Sequence, residues 1–489
     1  EKHAILESIF LANRLLGIGF FGYGCSGMMD AYAQFLANKA KFDPPTGVNG
    51  KFELTDQLFG FQSDITRWAL RRGRAALFAG TGLGKSFMEL AWGQQVAIET
   101  GRPILHLAPL AVSAQMVREA NKFGIPARIA DPDDFQPGFI NVTNYQRAHH
   151  FDFSKCGGVI LDESSILKND NGHYCRELIS LCDSIPFRLA ATATPAPNDF
   201  MELGTHAEFL GVMSKTDMLA TFFVHDGGST QSWRLKGHAE QEFWRWMATW
   251  AVMLRKPSDL GYPNDGYDLP PLNYKMHSVK VTENNRDGLF AMQAQTLSER
   301  ISARRDSVGD RVAHAIAITP KEGPYVWWCN LNSESEALAR GIDGAVETKG
   351  IDPDHVKEQK LIDFSEGRIR VLVTKPKVAG FGMNWQHCHR TGFIGLNDSW
   401  EQFYQAVRRF WRFGQTMPVD VDIIAAETEG ATVANIKRKE ADAERMANAM
   451  VMHMADLTAE NVRGSVREKA DYNPTQKIIL PHWLNKGEE

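Results

Sequence analysis

The sequence predicts an α/β chain of two parallel-sheet lobes in tandem. Three observations carry this. Past Pro44 and Pro45, short apolar runs alternate with longer amphipathic stretches, the pattern of strands joined by crossover helices. The pattern occurs in two series, one starting near Ala75 and the other near Tyr325. The 489 residues also exceed one ordinary domain, and length alone suggests about three.

In the first series the expected strands are 75–79, 104–108, 139–142, 159–161 and 188–191, with helical patterns at 86–99 and 113–123. In the second they are 325–328, 371–374, 393–395 and 419–424, separated by helices at 333–340, 353–364 and 400–410. Between the series lies a helical, aromatic-rich stretch that turns loop-like around 261–271. The expected organisation is an N-terminal segment 1–50, a first lobe 51–210, a helical insertion and linker 211–270, a second lobe 271–430 and a helical tail 431–489. Residues 15–29 are apolar and glycine-rich but shorter than the about 20 residues that span a bilayer as a helix, so no membrane anchor is expected. An amphipathic stretch follows at 31–41. The preferred reading sets 1–27 outside the working fold; the alternative is an apolar helix docked on the body.

Composition narrows the function classes. With 43% hydrophobic and 23% charged residues, whole-chain disorder is excluded. Lys+Arg 54 against Asp+Glu 59 gives a net charge of -5, which excludes a protein that coats nucleic acid by bulk charge but not one with a basic groove. Six cysteines without a Cys-x-x-Cys pair imply a reducing cytosol and a cytoplasmic location. His387-Cys388-His389 is the one ligand-like cluster, and it lacks a second half-site, so no metal is expected there.

The chemistry falls at strand ends. Ala79-Gly80-Thr81-Gly82-Leu83-Gly84-Lys85-Ser86 follows a strand and opens a helix. Glycines let backbone N–H groups wrap phosphates, the helix N-terminus favours negative charge, Lys85 reaches the terminal phosphates and Ser86 ligates Mg²⁺. The expected nucleotide contacts are therefore Gly80, Thr81, Gly82, Leu83, Gly84, Lys85 and Ser86. The apolar run Gly158-Val159-Ile160-Leu161 ends in Asp162-Glu163, expected to hold Mg²⁺ and to position the attacking water respectively. Alone, such an acid pair is also compatible with a solvated turn. The strand Leu189-Ala190-Ala191 runs into Thr192-Ala193-Thr194-Pro195. Thr192 and Thr194 are expected as a sensor coupling the nucleotide to a neighbouring domain, against an ordinary threonine-rich turn. In the second series, Arg409 and Arg412 are three apart and are expected on one helix face, aimed at a transferring γ-phosphoryl group, although an arginine-rich helix taken alone is more often a solvated face.

These elements, in this order, resemble superfamily 2 helicases and most closely the Swi/Snf family of duplex-DNA translocases, over roughly residues 58–424. Leu58-Phe59-Gly60-Phe61-Gln62 is similar to the family's adenine-reading motif, with Gln62 in that role. Leu107-Ala108-Pro109 and Asn141-Val142-Thr143-Asn144-Tyr145 resemble motifs that touch the DNA backbone. Asn198 through Leu203, Met253-Leu254-Arg255-Lys256 and Leu269-Pro270-Pro271 resemble the family's passage between its motor domains. Val373-Thr374 with Gly380-Phe381-Gly382-Met383-Asn384 resembles the fifth motif, and Gln405-Ala406-Val407-Arg408-Arg409-Phe410-Trp411-Arg412-Phe413-Gly414-Gln415 the arginine motif, preceded by Trp400.

The resemblance implies two RecA-like P-loop domains with ATP and Mg²⁺ between them. It assigns Gly382 to the nucleotide, and Pro109, Thr143, Thr374 and Trp400 to DNA. Sequence-independent tracking along duplex DNA is the implied activity, and a compact phage- or prophage-encoded member in a bacterial or infected cell the implied source. The chain departs from the family at Ala79, Gly80 and Asn397, and at Ser164-Ser165, where a small residue and His are typical. A strand-separating DNA or RNA helicase and a non-catalytic ATP-dependent clamp are the alternatives. A small-molecule P-loop kinase leaves the second half unexplained.

Overall fold

The computed structural model describes residues 45–168, 173–196, 199–225, 233–280, 305, 307–379, 383–397, 399–427 and 430–466. The first lobe contains β1 (Arg74–Ala79), β2 (Ile104–Ala108), β3 (Ala127–Ile129), β4 (Ile140–Asn144), β5 (Gly158–Asp162), β6 (Phe187–Thr192), β7 (Phe223–His225), β8 (Trp233–Leu235) and β9 (Ala251–Leu254). Seven of these form one parallel sheet in the order β3-β4-β2-β5-β6-β1-β9, while β7 and β8 make a separate antiparallel pair. The second lobe holds β10 (Leu272–Val279), β11 (Tyr325–Cys329), β12 (Ala345–Glu347), β13 (Val371–Thr374), β14 (Arg390–Ile394) and β15 (Val419–Ala426). They form a parallel sheet in the order β10-β15-β14-β11-β13-β12.

A sheet covered on both faces needs strands apolar on both sides, which is why the central strands read as continuous apolar runs. In β1, Ala76 and Phe78 enter one core while Ala75, Leu77 and Ala79 enter the other. In β11, Val326 and Trp328 face one core, and Tyr325, Trp327 and Cys329 the opposite one. The registers Phe78↔Thr192, Leu107↔Leu161 and Leu161↔Ala190 bring the carboxyl ends of β1, β2, β5 and β6 to one edge. Parallel α/β sheets bind ligands at that edge.

Two expectations are corrected. The stretch 211–270, expected as a helical insertion and linker, carries helices Lys215–Phe222 and Glu240–Trp250 but also β9, which extends the first sheet beside β1. Ala251-Val252-Met253-Leu254 follows Trp250 without a break in apolar character, so only its partner β1 reveals the strand. The short β3 and β12, and the polar edge strand β10, were not expected. β10 gains its identity from pairing along its whole length with β15.

The helix Gly430–Val466 has 37 residues, about 55 Å at 1.5 Å per residue. Ile436 and Ala443 lie in the second lobe's core, Met450 and Met454 in one core of the first lobe, and Val462 in the other. The tail beyond it, with Pro474, Pro481 and Trp483, lies outside the described residues, as do 1–27 and 31–41. Among the described residues no helix is long and apolar enough to cross a membrane.

Candidate active site

The loop after β1 turns on glycines that no other residue replaces without strain. Gly82 (φ 91°) and Gly84 (φ 78°) have left-handed backbones, and Gly84 caps the helix Lys85–Thr100. A Cβ at Gly84 would stand 2.3 Å from Gln62 Nε2, and one at Gly82 2.9 Å from the Phe413 backbone nitrogen. Gln62 is buried and spans the loop: its Nε2 donates to the Leu83 carbonyl at 2.9 Å, and its Oε1 accepts from the Phe59 N–H at 3.0 Å. Lys85 Nζ donates to the Ala79 carbonyl at 3.0 Å.

Asp162 ends β5, is buried, and accepts the Glu163 N–H at 2.9 Å. Burial, reinforced by the Glu89 and Glu163 carboxylates, pushes its carboxyl well above the usual range. Glu163 has φ 51°, the one non-glycine among the described residues with a positive φ. Such a backbone costs about 1–3 kcal/mol and concentrates at functional sites. The following Ser164 Oγ lies 3.2 Å from Nε2 of His206, which burial holds neutral by lowering its pKa to about 4.

The arginines are placed differently from the expectation. The helix they were assigned to spans Trp400–Val407, so Arg409 and Arg412 lie in the turns beyond it. The Arg409 carbonyl is taken by the Trp385 N–H at 3.0 Å, and Gln415 Nε2 holds the Gln386, Cys388 and Phe410 carbonyls, so the helix cannot continue. Arg409 donates to the Gln405 carbonyl and Oε1, both at 3.0 Å, and to the Met383 carbonyl at 3.2 Å. Arg412 donates to the same Met383 carbonyl at 3.4 Å, and its Nε is buried without a partner. Among the described residues neither arginine has a carboxylate within ion-pair distance. Burial and the proximity of Arg412 lower Arg409 to about 10.

Both lobes contribute to one cavity of about 70 Å³ lined by Thr81, Gly82, Gly84, Lys85, Ser86, Asp162, Glu163, Arg409 and Arg412. Gly80 and Leu83 face away from it. Gln115 and Glu119, which fall in no motif, also line it, and Gln405, read above only as the first residue of the arginine motif, is fully buried and places Nε2 3.5 Å from Glu163 Oε2 while holding Arg409. The donor set fits a phosphate chain with a divalent cation. Arg409 is buried and Arg412 half-buried, neither with an ion-pair partner among the described residues, the Thr81 hydroxyl is buried without a partner, and Asp162 is costly to ionise unless a cation faces it. Ser86 and Asp162 would hold that cation, as one hydroxyl and one carboxylate do beside phosphates. Among the described residues no cluster of three or more His, Cys, Asp or Glu could hold a metal.

Thr192 is fully buried, and its Oγ1 accepts the Thr194 N–H at 3.1 Å. Thr194 lines a separate cavity of about 630 Å³ with Gly80, Trp400 and the helix Gly430–Val466. Of the four residues assigned to DNA, Pro109 and Thr143 line a cleft of about 760 Å³ between the lobes, with Arg118, Arg147, Lys168, Lys357 and Lys377. Thr374 and Trp400 are not brought there. The former is fully buried in β13, where a strand-end hydroxyl faces the core, and the latter packs on Tyr404 beside the other cavity. Gly382 and Asn198 lie outside the described residues. Cys388 is buried, its Sγ donating to the Pro324 and Arg390 carbonyls.

No protein-family model matches the chain, and no curated protein matches it. Among solved structures it is similar to the Sulfolobus solfataricus SWI2/SNF2 ATPase core in complex with dsDNA, with a TM-score of 0.39 and 16% identity over 86% of this chain and 99% of that one.

Proposed function

We propose that the chain is a nucleic-acid-dependent ATPase of the Swi/Snf type that couples hydrolysis to movement along duplex DNA. The observation that carries this reading is the cavity in which the P-loop and the Asp162-Glu163 pair of one lobe meet Arg409 and Arg412 of the other, which have no ion pair among the described residues. The P-loop amides and Lys85 bind the phosphates, and Glu163 orients the attacking water and takes its proton. Arg409 and Arg412 meet the charge that develops on the transferred group. A bound Mg²⁺ supplies neutralising charge on the phosphate oxygens. Because the cavity is far below the about 300 Å³ of ordinary small-molecule sites, nucleotide entry requires the lobes to part. Thr192 and Thr194 couple the nucleotide site to the neighbouring lobe, a role supported by Thr194 lining a cavity with Trp400. The cleft bears Pro109 and Thr143 with Arg147 and Lys377, and with Arg118, Lys168 and Lys357 paired to Glu358, Glu401 and Asp354; cations that can exchange these acids for phosphates support a polyanion partner held without sequence readout.

The test is ATP turnover with no nucleic acid, duplex DNA, single-stranded DNA and RNA. Stimulation by duplex DNA is expected, and its absence sinks the translocase reading. Displacement of a third strand from a triplex then separates tracking from local melting.

A further inference from the structure

Glu89 and His106 form a buried pair beneath the candidate active site. Glu89 lies one helical turn after Lys85 and shares its face. His106 sits in β2 opposite Ile160 of β5, and Ile160 points to the same side of the sheet as Asp162 two residues on. The P-loop helix packs on that side, where a Cβ at Gly93 would come within 3.0 Å of Ile160. Both side chains are fully buried, with Glu89 Oε2 2.9 Å from His106 Nε2.

The contact is not explained by core filling. Glu89 Oε1 and His106 Nδ1 are buried with no partner, an expense that two apolar side chains would avoid. Replacing a buried polar pair by apolar residues of similar volume is often neutral for stability. What apolar contact lacks is direction: a hydrogen bond fixes the rotation of the helix against β2 and β5, whereas apolar surfaces slide. The pair also sits in the field of the site. Glu89 feels Lys85 and Glu163, and Asp162 feels both Glu89 and His106.

We propose that Glu89 and His106 are positioning residues that fix the P-loop helix, and with it Lys85 and Ser86, at working distance from Asp162. This rests on the ATPase reading above. The wild-type chain must first turn over ATP; if it does not, that reading falls. The variants to compare are Glu89→Leu/His106→Leu, Glu89→Gln and Glu89→Asp, each measured for kcat, KM for ATP, melting temperature, and the strengthening by Mg²⁺ of binding to a fluorescent ATP analogue.

The double leucine variant is expected to melt at or above the wild-type temperature, yet to lose about 10–100-fold in kcat and a similar factor in the Mg²⁺ effect, the usual scale for outer-shell positioning groups. Glu89→Gln keeps the hydrogen bond and is expected to retain kcat within a few-fold. A double variant with wild-type kcat and Mg²⁺ response overturns the proposal, as does a Glu89→Gln variant as impaired as the double one. Should the double variant not fold, Glu89→Asp decides. Its shorter side chain breaks or strains the contact, so a kcat fall of at least about tenfold is expected, and wild-type kcat and Mg²⁺ response overturn the proposal.

Discussion

Glu163 and Arg409 answer to each other through one amide, that of Gln405, although they are 246 positions apart in sequence (409 − 163). Glu163→Gln should leave ATP binding near normal while turnover falls by about 10²–10⁴-fold, and retained hydrolysis would remove Glu163 from its role. Arg409→Ala should cut turnover by about 10³–10⁵-fold with little change in nucleotide affinity. Glu89 makes stability depend on pH in a direction set by its environment. Burial raises its pKa to about 8, so its contribution is complete below its unfolded value of 4.5 and fades as pH rises through 8. Burial lowers His106 to about 4, so its contribution is present above 6.5 and lost as pH falls towards 4. Between 4.5 and 6.5 the two slopes offset. From pH 6.5 to 8 only that of Glu89 remains, and the wild type should lose about 2 kcal/mol relative to Glu89→Gln. Denaturation midpoints across that window measure the difference, and a constant gap would contradict it. At this scale the sequence displayed the P-loop lysine, the acid pair and the arginines by their local strings. Gln115, Glu119 and the Glu89–His106 pair carry no such string, and the string holding Gln405 does not reveal its reach to Glu163, because contacts between distant strands and helices define them.

At the scale of elements, the P-loop depends on conformation more than on side chains. Gly84→Ala places a methyl against Gln62 on a left-handed backbone, so nucleotide binding should weaken by at least an order of magnitude, about 1.4 kcal/mol or more. Calorimetry with an ATP analogue checks it, and unchanged affinity would mean that the loop tolerates another path. The central strands β1, β2, β5, β6, β11 and β13 were legible because strands buried on both faces must be apolar throughout. Edge strands have no such requirement, which is why β3, β10 and β12 left no clear pattern. The end of the helix Trp400–Val407 was illegible for another reason. Residues 400–410 keep helical periodicity, and the helix yields only to the Trp385 N–H and the Gln415 side chain.

Across the whole molecule, the lobes are held together at the cleft by pairs of opposite charge. Arg118 meets Glu358 at 2.7 Å, and Lys168 pairs with Glu401. Phosphates entering the cleft compete with these acids for the same cations. Exposed pairs are worth about 0.2–1 kcal/mol, so Glu358→Gln with Glu401→Gln should tighten duplex binding by a few-fold at low salt, with the gain fading as ionic strength rises. Fluorescence anisotropy of a labelled duplex measures it, and weaker binding would show that the acids support the site. The two-lobe plan was readable from the repeated strand–helix pattern, but the meeting of lobes in one cavity was not, since no local pattern encodes which ends face each other.

The helix Gly430–Val466 gives this architecture an axle. Its side chains are seated in the cores of both lobes, so the lobes cannot slide apart without unseating Met450, Met454 or Ile436. The permitted motion is a swing about the rod, in which displacement grows with the lever arm. The cavity lined by Glu444, Met446 and Met450 lies against the rod itself. The cleft bearing Arg118 and Lys168 receives no residue from the helix. The phosphate cavity receives none either, so a swing that opens it also displaces the cleft.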